Sequence, residues 1–194
     1  MNGWPMAIES GCRHKKDIVS EHRFKSIRPG RVGVLALFGL VLVPSACKEQ
    51  DLTVPTEEQV EEAFTYEGAL SVDMHGNVAE VTVIQPEQHI RRGGSLWAKV
   101  GPYIILFSEE SENLFLHYSG LAGIRVVTKT SGGTEIARAL LPRDALNDLT
   151  WRRALNIAGQ ARRDGTKRPT LLEALVRWGE EHTEYEYNPR FIDG

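Results

Sequence analysis

The side chains able to do chemistry in this chain are thinly spread: His75, His89, His117 and His182, Cys47 as the one cysteine outside the basic leader that holds Cys12, and carboxylates at Glu180, Glu181 and Glu184. His182 and its neighbouring carboxylates have the atoms of a metal site. Their spacing works against one, because adjacent residues on a helix point about 100° apart, so Glu181 and His182 diverge. His182 falls instead on the apolar side with Leu171, Leu175 and Trp178, where a packed or hydrogen-bonded imidazole is expected. Ser119, His117 and Asp144 supply the residue types of a nucleophile, a base and an orienting acid. Any chain of this size offers such a trio, and only convergence within hydrogen-bond reach would make it chemistry. The chain contains no G-x-S-x-G, G-x-x-x-x-G-K-[ST], H-E-x-x-H or C-x-x-C, which leaves no motif for acyl transfer, phosphate cradling, zinc hydrolysis or covalent haem attachment. Gly93-Gly94 and Gly132-Gly133 read as turns with no helix start behind them to hold a phosphate. No catalytic residue, no metal and no cofactor is expected.

Two other groupings suggest binding. Arg152, Arg153, Arg162, Arg163, Lys167 and Arg168 form a basic patch. A solvated helix face explains it, and so does docking onto an acidic protein surface or anionic headgroups. Tyr185 and Tyr187, with Phe191 and Arg190, have the composition of an interface hot spot. They suit a strand closing the core equally well.

The elements that must position these residues follow from periodicity. Thr56 caps a short acidic helix to Phe64, whose carboxylates suit a helix N-terminus. Leu70–Met74 and Val78–Ile84 alternate apolar and polar about His75-Gly76-Asn77, a hairpin pattern. Ser95–Val100 and Tyr103–Phe107, parted by Gly101-Pro102, read as further strands, the second a central one. Ser108 caps a helix rich in first-turn carboxylates, with Leu114, Phe115, Tyr118 and Leu121 as its apolar face. Gly123–Thr130 and Thr134–Leu141 form a second hairpin. A helix capped by Thr150 runs to Asp164, with Trp151, Ala154, Leu155, Ala158 and Ala161 on one side. The capping box Thr170-Leu171-Leu172-Glu173 opens another, and Thr183–Tyr187 returns as an edge strand. The predicted fold class is α+β: a mostly antiparallel sheet built from hairpins, with two C-terminal helices packed on it.

With 41% hydrophobic and 25% charged residues in 194, the composition is that of one globular domain plus a leader. The net charge of −3 hides an asymmetry: residues 1–46 balance at +4 and residues 47–194 at −7. An acidic body lacks the clustered positive charge that nucleic-acid binding requires. The front half of the asymmetry belongs to a three-part pattern. Lys15, Lys16, Arg23, Lys25, Arg28 and Arg31 precede Val32–Val43, twelve residues without a polar side chain, and then Pro44-Ser45-Ala46-Cys47. Spanning a bilayer takes about 20 apolar residues, so this is the layout of a secretory signal.

The ending resembles a bacterial lipoprotein signal, in which small residues stand just before an invariant cysteine. Ser45 and Ala46 match, while Pro44 stands where the family usually has Leu. The resemblance implies that residues 1–46 are a signal peptide and that Cys47 carries a lipid on the first residue of the mature chain. A buried N-terminal helix and a retained membrane anchor stay open beside it. On the lipoprotein reading, residues 47–65 are a polar tether and residues 66–194 a single domain held on the extracytoplasmic (periplasmic) side of a membrane.

The function expected from these features is non-catalytic: a protein-interaction or accessory subunit of a respiratory, photosynthetic, transport or envelope complex. Its partner would carry an acidic surface and meet Arg152, Arg153, Arg162, Arg163, Arg168, Tyr185 and Tyr187. The alternatives are a carrier of a small apolar ligand, with Trp97, Tyr103, Phe107 and Trp178 lining its cavity, and an enzyme with an unfamiliar site.

Overall fold

A computed structural model of the chain describes residues 52–66, 68–85 and 87–192, with only the backbone of Glu87, His89 and the run 91–93. The basic leader, its apolar core and Cys47 lie outside the described residues, as does everything the lipoprotein resemblance implies about them.

The chain runs α1 (Glu57–Ala63), β1 (Leu70–His75), β2 (Val78–Ile84), α2 (Glu87–Leu106), α3 (Glu109–His117), β3 (Gly123–Lys129), β4 (Glu135–Pro142), α4 (Asp148–Asp164), α5 (Pro169–His182), β5 (Glu184–Tyr187) and α6 (Pro189–Ile192), with a 3-10 turn at Arg143–Ala145. The five strands form one sheet in sequence order. Three of its junctions are antiparallel and β2–β3 is parallel. The fold is α+β. A parallel pair needs a crossover, and α2 with α3 supplies it; α4 with α5 makes the long connection from β4 to β5.

Register separates the two faces of the sheet. Ala79, Val81 and Val83 of β2 stand beside Ile124, Val126 and Thr128 of β3, and all six are buried under the helices. The opposite face carries Glu80 beside Arg125, bonded at 3.1 Å, and Arg138 beside Glu186 at 3.2 Å. A strand's period of two turns alternate residues toward core or water in this way.

The segment Ser95–Phe107 corrects the sequence reading. It is not a pair of strands but the greater part of α2, bent at Gly94 (φ 58°, ψ −148°) and carrying Pro102 in its interior. Ala98, Val100, Tyr103 and Leu106 of this helix are completely buried. The segment reads as two strands because Gly101-Pro102 ordinarily breaks a helix, yet the helix continues through that pair. Gly101-Pro102 therefore interrupts nothing; the glycine lets the helix approach the sheet at Thr128. The pair Gly93-Gly94 likewise lies at a helix bend, with helix directly behind it.

Helix α2 lies against β3 and β4, and the two C-terminal helices pack on it and on each other. At the α5–α2 crossing a β-carbon on Gly179 would overlap the Tyr103 ring, so the helices touch backbone to ring. The residues expected as a tether, 47–65, join the fold from Leu52 onward. Val60 is fully buried in the core, the Gly120 amide donates to the Thr53 carbonyl at 2.8 Å, and the Glu57 carboxylate accepts the Met74 amide of edge strand β1 at 3.0 Å. Acidic residues concealed this, because the charge sits on the outer face of α1 while Val60, with Ala63 and Phe64 beside it, meets the core.

Capping agrees with the expectation at α1 and departs from it at α4 and α5. Thr56 and Gln59 form a capping box on α1. For α4 the cap is Asn147, with Thr150 completing a capping box one turn inside. The predicted box at Thr170 and Glu173 does not form: α5 begins at Pro169, whose fixed φ suits the first helical turn, and Arg168 gives no side-chain cap.

Candidate functional site

A cleft of about 510 Å³ opens where the β1 approach, the sheet end and helices α2, α3 and α4 meet. Val83, Gln85, Ile105, Ser108 and Thr128 form its buried floor. Phe64, Tyr66, Trp97 and Ile104 supply apolar walls, half open to solvent, and Glu110 and Arg162 stand at the mouth. Volume and lining suit a small, mostly apolar molecule with a few polar anchor points.

Each wall is held by its own bonds. The Tyr66 hydroxyl donates to the Ile84 carbonyl at 3.1 Å, which folds the segment before β1 over the sheet end; burial raises its pKa above the usual tyrosine value. Arg162 Nη2 donates to the Ile104 carbonyl at 2.8 Å, fixing α4 against α2. The Thr128 hydroxyl is spent on the Ala137 carbonyl at 3.2 Å.

Gln85 is different. It is 6% exposed, its backbone amide donates to the Lys129 carbonyl at 2.8 Å, and its Nε2 donates to the Trp97 carbonyl at 2.8 Å. Only the N–H end of the amide can satisfy a carbonyl, so the side chain's orientation is determined. Among the described residues its Oε1 finds no hydrogen-bond partner. An unpaired buried carbonyl costs about 1–3 kcal/mol, a cost the fold carries at a wall of its own cleft.

The chemically capable residues named from the sequence are not gathered there. His117 engages the Asn113 carbonyl one turn back at 2.7 Å. His182 stacks on Trp178 at 4.1 Å and meets that residue's carbonyl at 2.8 Å. His75 faces Glu80 at 3.8 Å on the solvated face of the sheet, where Glu80 is already held by Arg125. Among the described residues, no group of three or more His, Cys, Asp or Glu is arranged to hold a metal.

The basic patch is divided among several tasks. Arg153 lies over the Trp178 ring at 4.7 Å, Arg162 is tied to the cleft wall, Arg163 pairs with Asp164 at 3.2 Å, and Arg168 precedes α5. Arg152, Lys167 and Arg168 are exposed. Tyr187 turns inward: its hydroxyl lies 2.6 Å from that of Tyr103 and donates to Glu180 Oε1 at 3.1 Å. Tyr185 stays 46% exposed beside it. Of the four aromatics named for an apolar cavity, Trp97 lines the cleft. Tyr103, Phe107 and Trp178 fill the core.

No protein-family model, curated protein or solved structure matches the chain. The cleft therefore stands on its own geometry. Sequence reasoning missed Gln85 and Tyr66, which look like ordinary loop and turn residues; the only local sign was a glutamine directly after an apolar strand and before Pro86.

Proposed function

We propose that this chain is a non-catalytic binding protein that holds one small, largely apolar molecule in the cleft between the sheet end and α2. Carriage by a lipid on Cys47 would keep the domain at a membrane surface, where such molecules partition. The observation that carries the reading is the cleft itself: an apolar hollow of about 510 Å³ with three half-exposed aromatics, Phe64, Tyr66 and Trp97, on its walls. Exposed aromatic surface of this kind is costly in water and is covered when an apolar body enters.

The test is fluorescence titration of the full chain with N-phenylnaphthylamine, a neutral apolar probe. One saturable site per chain is expected, together with at least about a tenfold loss of affinity in Thr65→Trp, which places a large ring at the exposed mouth. Undiminished binding by that variant, or no saturable binding by the parent chain, overturns the reading.

A second reading, docking of a protein partner with an acidic surface, draws on Arg152 and Arg163, which stand exposed on α4. Co-purification of a stoichiometric partner that is lost on charge reversal at both positions would favour it.

A further inference from the structure

We infer that the end of the domain bearing Leu52, Leu116 and Leu149 rests on the bilayer that holds the lipid of Cys47, and that the cleft stands off that surface. The inference rests on the lipid reading above and adds to it the face that meets the membrane.

Among the described residues, the exposed large apolar side chains are Leu52, Val54, Leu116, Leu149 and Tyr185. Scattered singly over a surface they would need no explanation. All but Tyr185 gather at one end of the fold. Leu116, 71% exposed, stands in the last turn of α3, and Leu149, 75% exposed, in the first turn of α4. Beneath them the Phe115 and Trp151 rings lie 6.2 Å apart and join the two helix ends. The entry segment is held to the same place: the Gly120 amide, just past α3, donates to the Thr53 carbonyl at 2.8 Å. A β-carbon on Gly120 would overlap the Leu52 carbonyl.

The chain itself points to what covers this end. Cys47 precedes Leu52 by five residues, a step that spans at most about 18 Å. A lipid on Cys47 therefore keeps Leu52 within that distance of the bilayer surface. Charge does not drive the contact, because Asp144 and Asp148 offset Arg143 and Arg152 at this end, leaving no positive surplus for anionic headgroups. Burial of the leucines is the available driving force. A few leucines alone bind weakly; the lipid supplies the affinity and the face sets the orientation.

The same two helices locate the cleft. Ser108 and Glu110 at the start of α3 and Arg162 in the last turn of α4 line it, at the helix ends opposite the leucines. About 20 Å of helix separates Leu149 from Arg162. A domain resting on its leucines holds the cleft away from the lipid.

The experiment uses the mature protein, purified from membranes and reconstituted into phosphatidylcholine vesicles. A nitroxide spin label is placed at Leu116→Cys, at Leu149→Cys or, as a control beyond α4, at Lys167→Cys, all of them exposed positions. With Cys47 blocked by its lipid and Cys12 gone with the leader, the introduced thiol alone takes the label. Collisions with oxygen, which concentrates in lipid, are compared with collisions with a water-soluble nickel chelate. The oxygen-to-nickel ratio at the two leucine positions should exceed that at the control by at least about threefold, as side chains seated in the headgroup boundary require. Equal ratios at all three positions overturn the inference. Labels at both leucine positions that neither reagent reaches would place protein against this end, which also overturns it. The mass of the N-terminal residue in the same preparation separates the two readings. An unacylated Cys47 removes the lipid reading and this inference together, whereas an acylated Cys47 with equal ratios removes the membrane face alone.

Discussion

The hydroxyls of Tyr103, in the last turn of α2, and Tyr187, on edge strand β5, lie 2.6 Å apart. Tyr187 passes the bond on to Glu180 of α5 at 3.1 Å, so the C-terminal pair α5 and β5 shares one polar chain with the distant α2. Burial raises the pKa of both phenols, Tyr103 to about 12 and Tyr187 further. A phenol whose folded pKa lies above its unfolded value near 10 stabilises the fold fully below pH 10. That contribution is lost as pH rises through the folded value. Denaturant midpoints are therefore expected to fall between about pH 10 and pH 12, and Tyr103→Phe with Tyr187→Phe should flatten the fall. An unchanged slope in the double variant would refute the assignment.

Gly179 is the contact that lets α5 reach α2, since a β-carbon there would overlap the Tyr103 ring. Gly179→Ala removes the fit and should destabilise the domain by about 1–3 kcal/mol in urea unfolding, despite alanine's better helix propensity. A stabilised variant would mean the two helices separate freely.

Arg143 closes the end of α3. Its guanidinium donates to the carbonyls of Leu121 at 2.6 Å, Phe115 at 2.8 Å and Tyr118, and it lies over the Phe115 ring at 5.2 Å. Three acceptors lose a charged donor together in Arg143→Met, and a cost of about 2–4 kcal/mol is expected. Arg143→Lys should recover only part of it, because an ammonium cannot present the planar fork.

A contrast between core and surface checks the helical layer. Leu175 is completely buried, and Leu175→Ala should cost about 2–5 kcal/mol. Charge reversal at Arg152 and Arg163, both exposed on α4, should change stability by no more than about 0.5 kcal/mol. A large loss from the reversal would place that face against another part of the chain.

Cys47→Ser is expected to move the protein from the membrane fraction to the soluble fraction, as judged by ultracentrifugation and by the mass of the N-terminal residue. Persistent membrane association would point to a retained apolar helix instead.

The sequence by itself determined the local order of this protein. The β1–β2 hairpin follows from alternation about His75-Gly76-Asn77, and β3–β4 from two apolar runs joined by Ser131-Gly132-Gly133. The Ser108 cap places α3, Ala154, Ala158 and Ala161 mark the face of α4 that turns inward, and β5 returns where alternation resumes. Each of these signals is carried by residues within a few positions of one another. Tertiary structure alone decided the rest, because the deciding contacts join residues far apart in the chain. α2 runs through Gly101-Pro102, a pair that reads locally as a break, with the sheet and the C-terminal helices packed along it. Residues 52–65 belong to the domain because Val60 finds Val72 and its neighbours in the core. The cleft has no local signature at all. Phe64, Gln85, Trp97, Thr128 and Arg162 come from five separate segments that meet only in the folded chain.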